Sequence, residues 1–249
     1  MTDGDVRRGT NPLFNANKLK LGTFATNVSY GCAISTVDGS FQTNWADAVK
    51  LAQIADEAGL EAIVPVARWR GFGGITDFNG SAFDPYTWAA GLAMATNYSS
   101  IFATSHIPTM HPIVAAKQAA TIDHISNGRF ALNIVCGSHR REMDMFGELP
   151  MRYENRYEYA AEWTNVIKTL WMRTESWDYE GAFFKINKGF SEPKPIQKPY
   201  PALMNAGGSE SGRDFAAREC DIAFILVSDF SDDAMRREID KIRNIARRA

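Results

Sequence analysis

A single amide interrupts an apolar stretch near the middle of the chain. From Phe130 to Cys136 the sequence reads FALNIVC, and Asn133 is its one polar member. A short, almost wholly apolar run of this kind is a buried parallel strand. Burying an amide without hydrogen bonds costs a few kcal/mol, so Asn133 either satisfies a neighbouring backbone group or meets a ligand where the strand opens. Thr104, within IFATSH, is a similar polar intrusion and can share a pocket with it. Past the strand, Gly137 leads into Ser138, His139, Arg140, Arg141 and Glu142, and Arg156-Tyr157 begin a later helix. An arginine fork there suits a phosphate or a carboxylate, the alternative being a salt bridge on the helix surface. Gly207-Gly208-Ser209 combines glycines that allow close approach, a hydroxyl, and the free N–H groups of a helix start, which together make a phosphate cradle. Ser209 can cap that helix at the same time.

The four histidines form neither an H-E-x-x-H nor an H-x-H pair, so no metal centre is expected. His124 falls on a helix and reads as structural. His106 and His139 fall at strand ends and are candidates for acid, base or hydrogen-bonding roles. No G-x-S-x-G is present, which disfavours an α/β-hydrolase. In Arg68 to Gly80, RWRGFGGITDFNG, the opening glycines resemble a dinucleotide fingerprint, but Thr76 stands at the third glycine position and no helix signal follows. That segment reads instead as a sharp loop in which Arg68, Trp69 and Arg70 supply a stacking surface and positive charge.

These residues sit in a repeating pattern of strands and helices. Strands are expected at Leu19–Thr26, Leu60–Ala67, Ile101–Ile107, Phe130–Cys136, Ala202–Ala206 and Ile222–Val227. Helices are expected at Asn44–Ala58, Pro85–Ala95, Pro112–Ser126, Glu154–Trp171, after Gly207-Gly208-Ser209, and at Ser231–Arg248. Trp177–Phe190 reads as an inserted hairpin, and residues 1–17 as an extended lead-in that gains order by packing. The loop Asn27–Thr43 is too long for a simple connector; it either closes over a ligand or is a disordered surface loop. The alternation implies a parallel sheet with helices outside it. About six strand–helix units are legible, where a closed barrel of this type has eight.

With 249 residues, 45% of them hydrophobic, the chain is expected to form a single barrel domain over 1–249 with a sizeable core. The formal net charge of −2 gives no whole-chain field favouring nucleic acid or an anionic membrane. Cys32, Cys136 and Cys220 are far apart and suit a reducing compartment. The N-terminus lacks an apolar signal region, and no run approaches the ~20 apolar residues of a membrane span, so a cytoplasmic location is expected.

The stretches AAKQAATIDHISNGRFALNIVCG, RYENRYEY, YEGAFFKINKGFSEPKPIQKPYP and NAGGSESGRDFAARECD together resemble the bacterial-luciferase-like, reduced-flavin-dependent monooxygenases, from about Leu19 to Val227. Within that group, ARWRGFGGITDF followed by AGLAMAT is similar to the pyrimidine oxygenases, and less close to the alkanesulfonate and dimethylsulfone monooxygenases. The resemblance implies an α/β fold, a TIM (β/α)8-type barrel here lacking the last two strand–helix units. It also implies FMN, reduced by a separate NAD(P)H flavin reductase, and O2 used to oxygenate a small pyrimidine-like or organosulfur substrate. By the same resemblance Ala67, Arg68, Asn133, Glu142, Arg156 and Tyr157 contact the flavin and Ser209 its phosphate. Thr104 and Asn133 hold dioxygen, His139 or His106 contacts substrate, and the subunits form a homo-oligomer. Two other readings are a flavin-binding relative without turnover and a user of the deazaflavin F420. Ser138 departs from the pyrimidine oxygenases, which carry tryptophan directly after the strand's glycine.

Overall fold

The computed structural model describes residues 3–137, 139–226 and 231–248. In chain order the elements are α1 (Asp3–Thr10), β1 (Gly22–Phe24), α2 (Trp45–Glu57), β2 (Ala62–Val64), α3 (Pro85–Ala95), β3 (Ser100–His106), α4 (Pro112–Ile125) and β4 (Phe130–Val135). There follow the short α5 (Arg140–Met143), α6 (Arg156–Met172), the hairpin β5 (Trp177–Glu180) and β6 (Lys185–Gly189), β7 (Ala202–Asn205), α7 (Glu210–Glu219), β8 (Ile222–Ala223) and α8 (Asp232–Ala246). The expected end of the last strand, Val227, lies outside the described residues.

Local chemistry sets the boundaries. Asn44 accepts from the N–H groups of Ala46 and Asp47 to start α2, and Asp84 caps α3 with Pro85 in its first turn. At the far end of α4 both Asn127 and Gly128 turn at positive φ, which ends the helix and feeds β4. The first two strands are shorter than their apolar runs, because only Gly22–Phe24 and Ala62–Val64 pair.

β1, β2, β3, β4, β7 and β8 form one parallel sheet in that order. An order that never reverses, joined by crossovers of one hand, leaves all the connecting helices on the same face of the sheet. Side chains alternate accordingly. Ile101, Ala103, Leu132, Ile134 and Leu203 pack outward with Trp88, Leu92, Ala116, Trp163 and Ile167 of the helices. Val64, Phe102, Ala131, Ala202 and Met204 form a smaller cluster on the other face.

The sheet is curled. In a flat sheet, β1 and β8 would be about 24 Å apart at ~4.8 Å per strand. Yet the ring of Phe24, at the end of β1, lies 5.0 Å from that of Phe224, just past β8. The second cluster is therefore the inside of an incomplete cylinder.

Residues 3–14 correct one expectation, since the lead-in is helical rather than extended. Arg7 explains why: its guanidinium donates to the Tyr200 carbonyl and pairs with Asp221 at 2.8 Å, while lying over the rings of Phe14 and Tyr200. These contacts tie one face of α1 to the sheet's lower rim, a tertiary effect with no local signature. Met1 and Thr2 lie outside the described residues.

Candidate active site

The inner face of β3 and β4 is layered by strand register. Phe102 pairs with Ala131, Thr104 with Asn133 and His106 with Val135, so the apolar cluster gives way to a polar row and then to the rim. Met204 of β7 completes the Asn133 row. Above it opens a cavity of about 440 Å³, within the size range of small-molecule sites. Its wall brings together Ala67, Arg68, Thr104, His106, Asn133, Arg156, Tyr157 and Ser209. Eight of the sequence-derived candidates thus converge on one space, while Trp69 and Arg70 do not line it.

Each is held differently. Thr104 Oγ1 donates to the Pro65 carbonyl at 2.6 Å and accepts from Asn133 Nδ2 at 3.2 Å. Arg156 donates to the Tyr153 carbonyl, with its guanidinium 3.7 Å from the Tyr153 ring centre and 4.8 Å from that of Tyr157. No carboxylate pairs with it among the described residues, which removes the surface salt bridge as its explanation and leaves a fixed cation at the cavity wall. Ser209 caps α7 by accepting from Gly212 N–H at 3.1 Å. Gly207 has a steric reason: a Cβ there would sit 2.7 Å from both Asn205 Oδ1 and the Tyr157 hydroxyl.

Glu142 and His139 do not line the cavity either. Glu142 is fully buried, accepts from the backbone N–H groups of Trp69 and Arg70, and pairs with Arg68 at 3.2 Å. It is a clamp on the 68–70 loop, standing behind Arg68. His139 stacks on Phe72 at 4.7 Å, with Nδ1 3.4 Å from the Arg68 guanidinium. Ser138, where the pyrimidine oxygenases differ, lies outside the described residues.

His106 does reach the cavity. Its Nδ1 is 3.8 Å from Glu142 Oε2, too far for a hydrogen bond, and burial pushes its pKa down to about 4, with Arg68 adding to the shift and Glu142 opposing it. It is therefore neutral near pH 7. Burial likewise raises the thiol of Cys136, another wall residue, to about 12. Three buried polar atoms on wall residues lack partners among the described residues: Asn133 Oδ1, Arg68 Nε and His106 Nδ1. The wall thus combines polar and cationic side chains with an apolar floor, the mixture found in small-molecule sites.

Sequence reasoning missed Asn205 and Tyr153. Asn205 donates to Ile134 O at 2.7 Å and accepts from Gly207 N–H at 2.8 Å, shaping the glycine turn. An asparagine ending a strand just before a glycine pair is a turn signal that could have found it. Tyr153 carries no such signal. The loop Asn27–Thr43 contributes nothing to the cavity wall; it packs instead on Asn79–Ser81, through bonds such as Ser29 N–H to Ser81 O. Among the described residues there is no cluster of metal-ligating side chains, and no helix is long and apolar enough to cross a membrane.

The family model for luciferase-like monooxygenases matches residues 21–249. The pyrimidine monooxygenase RutA of Bradyrhizobium sp. (strain BTAi1) is 33% identical over 212 residues, which are 84% of this chain and 58% of that protein. Among solved structures, the EDTA monooxygenase EmoA of Chelativorans sp. BNC1 superposes with a TM-score of 0.79 at 23% identity, covering 93% of this chain and 61% of that one. The riboflavin lyase RcaE, solved with modified FMN and riboflavin, gives 0.76 at 21% identity, covering 92% and 59%. At such identities the structural likeness speaks to the fold. The chain spans a little over half the length of the curated relatives it matches.

Proposed function

The chain belongs to the luciferase-like monooxygenase family, and from that premise we propose that it is an FMN-dependent monooxygenase. In this reading it takes reduced flavin from a separate NAD(P)H flavin reductase and uses O2 to oxygenate a small organic substrate, pyrimidine-like or organosulfur. RutA, named as a pyrimidine monooxygenase, favours the first class. The reading also makes the fold a (β/α)8-type barrel to which this chain contributes six strand–helix units, and the protein a cytoplasmic homo-oligomer. Its free cysteines suit a reducing compartment.

One observation carries the cofactor assignment: the cavity wall joins two chemically different groups of residues. One group is Arg156, with no carboxylate partner among the described residues, and Gly207 and Ser209 at the start of α7, a setting for a phosphate. The other is Arg68, Thr104 and Asn133, polar side chains above an apolar floor. FMN has a phosphate tail and a flat ring edged with nitrogen and oxygen atoms, so these residues fit it.

Reduced FMN, when bound, supplies the electrons that activate O2. The chain's own residues do the rest. Arg156 and Ser209 hold the phosphate, while Ala67, with 4% of its surface exposed, offers a flat backbone wall to the ring. Tyr157 braces the glycine turn, and Glu142 acts through the 68–70 loop it clamps. Thr104 and Asn133 keep a small polar niche beside the ring for O2, and neutral His106 faces the substrate side. His139 contributes by backing Arg68 rather than by touching substrate.

The test is to mix the purified chain with reduced FMN, air and a panel containing uracil and small sulfones. Oxygenated product is the expected result. Tight FMN binding without product from any panel member would favour a non-catalytic flavoprotein, and absence of FMN binding would remove the assignment.

A further inference from the structure

Where β7 ends, one side chain holds the turn that follows. Asn205 is the last residue of its strand and pairs with Ile134 in the ladder to β4. Its Nδ2 donates to the Ile134 carbonyl at 2.7 Å, and its Oδ1 accepts from Gly207 N–H at 2.8 Å. Its own carbonyl accepts from Phe224 N–H at 2.9 Å, so the residue is tied to the chain on both sides. With 2% of its surface exposed, the amide makes its bonds away from water, where a lost partner is hard to replace.

The turn is packed as closely as it is bonded. A Cβ on Gly207 would sit 2.7 Å from Asn205 Oδ1, from Gly212 Cα and from the Tyr157 hydroxyl. At Gly208, by contrast, a Cβ would meet nothing within 4 Å. The backbone thus passes from a clamped glycine to an open one in a single step. Of the N–H groups leading into α7, that of Gly207 belongs to Asn205 and that of Gly212 to Ser209 Oγ. Those of Gly208, Ser209 and Glu210 have no acceptor among the described residues, as befits the start of a helix.

We propose that Asn205 is a positioning residue for the phosphate: by holding Gly207 to β4 it fixes the N–H groups of residues 208–210 before any ligand arrives, and so sets the preference for FMN over riboflavin. The inference rests on the FMN assignment above. Donors already held in place lose little freedom on binding, so affinity for the phosphate is gained without a further contact. Asn27 supplies a matched control. It too is buried, accepting from Val66 N–H at 2.8 Å and donating to Val66 O at 2.7 Å. It holds the strand end leading to Ala67, the wall given to the ring, which FMN and riboflavin share.

The experiment is a titration of the purified chain with FMN and with riboflavin. Wild type is expected to bind FMN more tightly. Asn205→Ala should cut the ratio of the two affinities roughly tenfold, with riboflavin nearly unchanged. Asn27→Ala should weaken both flavins and leave the ratio as it was. Hydrogen exchange in the ligand-free wild type gives an independent reading: the Gly207 amide should be protected, and those of residues 208–210 should exchange fast. An undiminished ratio in Asn205→Ala, an equal fall of the ratio in Asn27→Ala, or a rapidly exchanging Gly207 amide each overturns the role given to Asn205 while leaving the FMN assignment standing. So does a wild type that binds riboflavin as tightly as FMN. No binding of FMN overturns that assignment, and the inference with it. If Asn205→Ala does not fold, the exchange pattern of the wild type still decides.

Discussion

The two faces of β3 and β4 share a backbone and have opposite characters. Outward, Ile101, Ala103, Leu132 and Ile134 meet Trp163, Trp88 and the alanines of α4, all buried. The indole N–H of Trp163 is itself satisfied, donating to Met110 O at 2.8 Å. Inward, the same strands present Thr104, His106 and Asn133; His106 Nδ1 and Asn133 Oδ1 have no hydrogen-bond partner among the described residues, and the same holds for Trp88 Nε1 on the outer face. One face is an apolar layer that holds the fold together, and the other sets a polar row beside the cavity.

Substitutions can separate the faces. The largest effect is expected on the outer one. Trp163→Ala removes a fully buried indole and should lower unfolding free energy by about 3–5 kcal/mol, measured by urea denaturation. A loss below about 1 kcal/mol would mean that the outer layer is not the main source of stability.

Next comes the inner rim. Arg156→Ala should weaken FMN roughly 10- to 100-fold in a direct titration, with little change in the urea midpoint. The guanidinium supports only two rings and one carbonyl. A stability loss as large as that of Trp163→Ala would erase the contrast.

The smallest effect concerns His106. Its folded pKa of about 4 lies below its ordinary 6.5 because burial disfavours the charged form. A depressed histidine stabilises the fold fully above pH 6.5, and the contribution drains away as pH falls from 6.5 towards 4. His106→Gln should therefore flatten that part of the stability profile, by about 1–3 kcal/mol across the window. Identical profiles for the two proteins would place the imidazole in a wetter setting than its burial indicates.

Much of the inner face was legible in the sequence because polar residues inside apolar strands are conspicuous. Asn133 and Thr104 stand out in FALNIVC and IFATSH, and the strand-end position of Gly207-Gly208-Ser209 carries its own meaning. What stayed hidden depends on contacts distant in sequence. Glu142 reads as a pocket residue because it follows a strand end, but its two oxygens are taken by a loop more than seventy residues earlier in the chain. His139 is diverted by Phe72 in the same way. Helix α1 forms where the sequence suggests only a lead-in, because Tyr200 and Asp221 wait for Arg7. The loop after β1 invited a covering role by its length, and its docking on Asn79–Ser81 could not be read from spacing.

The rings of Phe24 and Phe224 bring the margins of the sheet together, and both also border the cavity. How tightly the sheet rolls and how much room it encloses are thus governed by the same pair of side chains. A guest lodged against them works on the whole scaffold as a wedge or a clasp according to its thickness, so selection for a flat occupant would also be selection for a particular curvature.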